Sequence, residues 1–126
     1  MTETIIRRID APQFGDDGTH ITGYASPSRG AASIAAWKVS LDPGAGSPVH
    51  ELTHDEVFLV LSGEASFEVE GRRHRVRPGD AICVPPRTAF ALSNRGSEMM
   101  TAICCMAAGG RARIGAGDPF PIPWAQ

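Results

Sequence analysis

Apolar side chains in this sequence recur at every second position, in short runs, and nearly every run stops within a few residues at glycine, proline or asparagine. A period of two is the period of a strand, whose successive side chains point to opposite faces of a sheet. The clearest run, residues 33–41, puts Ala35, Trp37, Val39 and Leu41 on one face and Ala36, Lys38 and Ser40 on the other. Further strands are predicted over residues 4–9, 19–24, 57–61, 65–70, 73–77, 81–84, 88–92 and 99–107. All 10 prolines and all but one of the 14 glycines fall between these runs. No segment keeps a helical period beyond two turns. Short strands with turn signals about every 8–12 residues specify an all-β sandwich or barrel. At 126 residues the chain makes one domain, 1–126, large enough to bury about two-thirds of its unfolded surface. Within it, strands occupy the N-terminal part, residues 1–41, and a C-terminal strand and extended tail lie in 98–126. The proline-rich end of that tail is expected to lie over the outside.

Charge excludes several classes of function. Lys and Arg number 12 against 14 Asp and Glu, for a net charge of −2, so the clustered positive charge of a nucleic-acid binder is missing. The most basic run, residues 72–77, alternates behind Gly71 and is expected to be the solvated edge of a hairpin, where charge discourages edge pairing. The charge-free stretch 99–110 is 12 residues, too short to span a bilayer, and the first residues carry no secretory apolar core. Cys83, Cys104 and Cys105 are an odd set with a vicinal pair, a poor disulfide framework. A reducing, cytoplasmic setting is therefore expected, with no nucleic-acid or membrane partner. Cys104 and Cys105 must face opposite sides of one strand, so one of them is inside; Cys83 is expected in the core. His20 and His74, without partners in sequence, are expected at the surface.

Chemistry concentrates in the heptapeptide His50-Glu51-Leu52-Thr53-His54-Asp55-Glu56. Imidazole and carboxylate gathered this tightly suit a divalent first-row metal such as Fe, Mn, Ni, Zn or Cu. A straight strand would separate His50 and Glu56 by about 20 Å, so they share a site only if the chain bends near Thr53. Without a metal, the same groups suit proton transfer, because an imidazole beside a carboxylate titrates near neutral pH.

Residues 44–94 resemble the cupin superfamily of small β-barrels or jelly rolls. The first cupin motif, G-x5-H-x-H-x3-4-E-x6-G, is matched by Gly44, His50, Glu56 and Gly63, with Leu52 where the second histidine belongs. The second, G-x5-P-x-G-x2-H-x3-N, is matched by Gly79, Pro85 and Asn94, with Arg87 replacing its glycine and Phe90 its histidine. The resemblance implies a single-domain cupin barrel with its site inside, and a homodimer formed through sheet edges and exchanged N-terminal strands. It also implies a reduced metal site, since two of the four usual ligands are replaced by side chains that cannot coordinate. His54 is the nearby candidate to complete a set with His50 and Glu56, and His54 and Glu56 are the candidate catalytic pair; otherwise no cofactor is expected. Trp37, Leu52, Phe58, Phe90 and Met100 are the expected substrate-binding wall, the aromatics suited to stack on a flat ligand. The expected function is an isomerase, cyclase or lyase acting on a small, partly aromatic molecule. The alternatives are a binding or sensing module without turnover, and an iron- or copper-dependent oxygenase.

Overall fold

The computed structural model describes residues 4–126. Twelve strands follow in chain order: β1 (Gln13–Phe14), β2 (Thr19–Ala25), β3 (Ile34–Leu41), β4 (Glu51–Leu52), β5 (Glu56–Ser62), β6 (Ala65–Val69), β7 (Arg72–Val76), β8 (Ala81–Val84), β9 (Phe90–Ser93), β10 (Met100–Ala107), β11 (Arg111–Arg113) and β12 (Phe120–Pro121). Six form one antiparallel sheet in the order β1-β2-β3-β10-β5-β8. Facing it are two three-stranded sheets, β7-β6-β9 and β12-β11-β4. The bridges His50↔Phe90 and Gly46↔Ser93 tie the approach to β4 onto β9, so these two sheets continue one another. The result is a single all-β barrel of jelly-roll type, as the sequence pattern requires. Among the described residues no helix is long and apolar enough to cross a membrane.

The period of two sets what faces inward. In β3, Ala35, Trp37, Val39 and Leu41 are buried; in β10, Met100, Ala102, Cys104 and Met106 are buried while Cys105 is exposed. In β5 the inward parity falls on Glu56, Phe58 and Val60, leaving Val57, Leu59 and Leu61 on the outside. A carboxylate thus enters the core because it shares a strand parity with Phe58. The two walls meet where Phe58 packs edge-on against Phe67 of β6, ring centroids 4.9 Å apart.

The motif residues outside the heptapeptide hold the turns. Gly63 has φ +70, and a Cβ there would come within 2.4 Å of the Met99 carbonyl oxygen, so only glycine fits between β5 and β6. Asn94 is buried, donates to the carbonyls of Leu41 (2.8 Å) and Glu98 (2.7 Å), and accepts from the Gly96 N–H at 3.0 Å. The β6–β7 hairpin turns on Glu70 (φ 50) and Gly71 (φ 81), both left-handed as a two-residue turn demands, and places Arg72, Arg73, His74 and Arg75 in solvent.

Two expectations are corrected and one is extended. No strand forms over the described part of residues 4–9: Arg8–Asp10 is a 3-10 turn, and Ile5 and Ile9 are 58% and 90% exposed. The alternation is too short there to bury a face, and residues 1–3 lie outside the described residues. Cys83 is exposed, because edge strand β8 turns Val84 inward instead. The tail covers the barrel with residues 115–121 exposed, but its end also enters the core: Ile122 and Ala125 are buried, and Trp124 packs on Trp37 at 6.4 Å.

Candidate functional site

The required bend is present. β4 ends at Leu52, Thr53 and His54 form a bend, and the chain re-enters the opposite sheet at Glu56. Two reciprocal bonds fix it: the Thr53 N–H donates to the Arg111 carbonyl at 2.9 Å, and the Arg111 N–H donates to Thr53 Oγ1 at 2.9 Å. The Arg87 N–H adds a 2.7 Å bond to the Leu52 carbonyl, which holds Arg87 at φ 55 where the motif has glycine.

The bend brings His50, Leu52 and Glu56 to one cavity of about 480 Å³ inside the barrel. Its inner wall is Ile21, Trp37, Val39, Leu41, Phe58 and Leu92; its outer wall is the tail, with Ile114, Phe120, Ile122 and Trp124. Of the expected substrate-binding residues, Trp37, Leu52 and Phe58 line this cavity. Phe90 and Met100 are buried outside its wall. Phe90 instead covers the His50 ring at 4.3 Å between centroids.

His54 does not join His50 and Glu56. It sits exposed on the outside of the bend, its Nδ1 2.9 Å from Thr53 Oγ1. The heptapeptide's parity places His54 with Glu56 only along a straight strand, and the bend that unites the other two residues expels it. Among the described residues no three His, Cys, Asp or Glu side chains gather as metal ligands. Leu52 and Phe90 stand where coordinating histidines would, so the donor set does not fit a firmly held metal, which takes three or more protein ligands.

The two remaining groups have defined protonation. His50 Nδ1 lies 2.8 Å from the Pro48 carbonyl, which can only accept; the proton is therefore on Nδ1 and the lone pair on Nε2. Burial lowers the pKa of this imidazole, against the smaller opposing effect of that hydrogen bond, and favours the neutral ring. Glu56 is pushed up to about 8 by burial alone. Its strand neighbours, Met106 and Val84, offer it neither charge nor donor. At pH 7 the cavity thus presents a neutral carboxylic acid and a neutral imidazole. The Cys104 thiol is driven well above its usual range, by burial and then by Glu56, which makes it an inert packing group.

Sequence reasoning missed the outer wall. Arg29 donates to the Trp124 carbonyl at 2.9 Å and Ser28 Oγ donates to the Gln126 carbonyl at 2.7 Å, latching the tail to the 3-10 turn Pro27–Arg29. The aromatic content of the tail was the available signal.

The family profile described as Cupin domain matches residues 37–106. The chain belongs to the cupin family. A Myxococcus xanthus protein named Endoribonuclease YbeY is 34% identical over 97 residues, 73% of this cupin and 32% of that protein. Auxin-binding protein 5 of Zea mays is 31% identical over 90 residues, 69% of this cupin and 59% of that protein. The cupin therefore spans about a third to three-fifths of the length of these relatives. Among solved structures, the polyketide cyclase RemF from Streptomyces resistomycificus superposes with a TM-score of 0.73 at 18% identity, over 84% of this chain and 80% of that one. This likeness supports the fold. Other similar proteins include a sugar phosphate isomerase, a dioxygenase and a lyase.

Proposed function

We propose that this cupin takes a small, partly aromatic molecule into the barrel and moves a proton on it, as an isomerase, cyclase or lyase would. Glu56 is the acid and His50 Nε2 the base. The observation that carries this reading is the pair of opposed protonation states at one apolar cavity: a carboxyl kept neutral by burial, and an imidazole whose tautomer Pro48 fixes. Separating the acid from the base by environment is how one site supplies both at neutral pH. Trp37 and Phe58 would hold the flat part of the substrate. His54, on the outside of the bend, has no part in the step.

The test is exchange of carbon-bound protons. Incubated with 2-tetralone in D2O, the protein should accelerate deuterium incorporation beside the carbonyl, and Glu56→Gln and His50→Gln should each lower that rate by about 10²-fold or more. Equal exchange by wild type and both variants would overturn the assignment. Elemental analysis of tag-free protein separates the metal-dependent version, in which stoichiometric metal would be lost in His50→Ala and Glu56→Ala.

A second reading, uptake without turnover, is favoured by the mainly apolar wall and predicts tight binding with no exchange. A homodimer belongs to the proposal as well. The outer face of β5 carries Val57, Leu59 and Leu61, 39–50% exposed, and Leu59→Arg should convert a dimer to monomer in sedimentation.

A further inference from the structure

We infer that the molecule held in this cavity is an organic cation, an ammonium or sulfonium centre carrying alkyl or aryl groups, seated between the aromatic wall and Glu56. The inference rests on the reading of the barrel interior as a small-molecule site and names its ligand class.

The charges of the wall are one-sided. Its ionisable side chains are Asp16, His50 and Glu56; no lysine or arginine lines it. Arg29, which touches Trp124, directs its guanidinium to the Trp124 carbonyl and to Ser28 Oγ, and Arg113 lies 3.5 Å from Glu51. Glu56 is 5% exposed, faces the cavity, and meets only Met106 and Val84 across its strand. Buried carboxyl groups elsewhere are matched by a cation or by hydrogen-bond donors. Glu56 holds its proton in the free protein at pH 7; a ligand cation would favour release of that proton and supply the countercharge to the carboxylate left behind, which the chain does not.

The wall also suits the body of such a ligand. Trp37, Phe58, Phe120 and Trp124 all line the cavity, and the Trp37 and Trp124 rings meet at 61°. Aromatic faces are negative, so a positive centre lodged against them is attracted, most strongly where water is excluded. Alkyl or aryl groups on the cation are matched by Ile21, Val39, Leu41 and Leu92. A small hydrated metal cation gains none of this. An anion would face Asp16 and oppose release of the Glu56 proton, and a neutral hydrocarbon would leave the Glu56 carboxyl without a polar partner.

Calorimetric titration of the full chain at pH 7 with three probes of similar shape tests the inference: phenyltrimethylammonium, its neutral counterpart tert-butylbenzene, and benzoate. The expected result is that the cation binds about tenfold or more tightly than the hydrocarbon, with benzoate weakest. Glu56→Gln should bring cation and hydrocarbon to within about threefold while keeping hydrocarbon affinity. Trp37→Leu should weaken the cation more than the hydrocarbon. The wild-type comparison decides even if a variant fails to fold. Hydrocarbon binding equal to or tighter than cation binding would overturn the inference and leave the barrel's role intact, as would a cation preference unchanged in Glu56→Gln. Failure of all three probes to bind would overturn both.

Discussion

Glu56 ties the stability of this protein to pH in an unusual direction. Its carboxyl is pushed up to about 8 in the fold from an ordinary 4.5, so the folded chain holds a proton that the unfolded chain releases. Stability from this group is complete below about pH 4.5, falls as pH rises, and is lost once pH passes about 8. His50 acts oppositely: its lowered pKa makes it destabilising as pH falls below about 6.5. Between pH 6.5 and 7.5 the Glu56 contribution should dominate, and the unfolding free energy from urea titration should fall by about 1 kcal/mol per pH unit. Glu56→Gln should flatten that slope. The proposed proton transfer needs both groups neutral, so its rate should decline above about pH 8 and again in acid, at a pH lower than where an ordinary histidine titrates. Asn94 is a purely structural member of the second motif. Asn94→Ala would orphan the Leu41 and Glu98 carbonyls and should cost about 2–4 kcal/mol in denaturant titration, with the hydrocarbon still bound by the folded fraction.

At the scale of elements, the bend between β4 and β5 and the latched tail create the site, and they differ in how far the sequence announces them. The need for a bend followed from strand geometry alone, since His50 and Glu56 cannot otherwise meet. That the bend would discard His54 did not follow, because which residue sits at its apex depends on the Thr53–Arg111 bonds, made across 58 residues of chain. The tail was harder still. Nothing local in its prolines distinguishes an outer strap from a cavity wall; the difference lies in Arg29 and Ser28, about a hundred residues away. The latch carries a flaw of its own, for Arg29 Nε and Trp124 Nε1 are buried without partners among the described residues. Removing an unmatched donor while keeping an aromatic ring should cost little, so Trp124→Phe should leave the melting temperature nearly unchanged. Arg29→Ala, which frees the Trp124 carbonyl and loses the packing of the guanidinium, should lower stability by about 1–2 kcal/mol. It should also speed ligand entry in stopped-flow fluorescence by loosening the outer wall.

Across the whole molecule, the fold was legible because it is overdetermined: parity along β3, β5 and β10 and the motif glycines all demand the same barrel. The site was legible only in part. Two of its polar residues and three of its wall residues could be named from position, whereas Phe90 and Met100 share the inward parity yet fill core beyond the cavity. Strand parity tells inside from outside; it does not tell packed interior from open interior. That distinction has a measurable consequence, since a barrel of this size that keeps a cavity of about 480 Å³ forgoes the packing contacts a filled interior would make. Val39, at the middle of β3 on the cavity wall, is a position where added volume goes into open space. Val39→Phe should therefore raise the melting temperature by a few degrees, about 1 kcal/mol of added burial, while lowering affinity for tert-butylbenzene by about tenfold or more. Were the cavity merely loose packing with no role in binding, the same substitution would stabilise the fold and leave ligand affinity untouched. Were the interior already filled, it would destabilise the protein by overpacking.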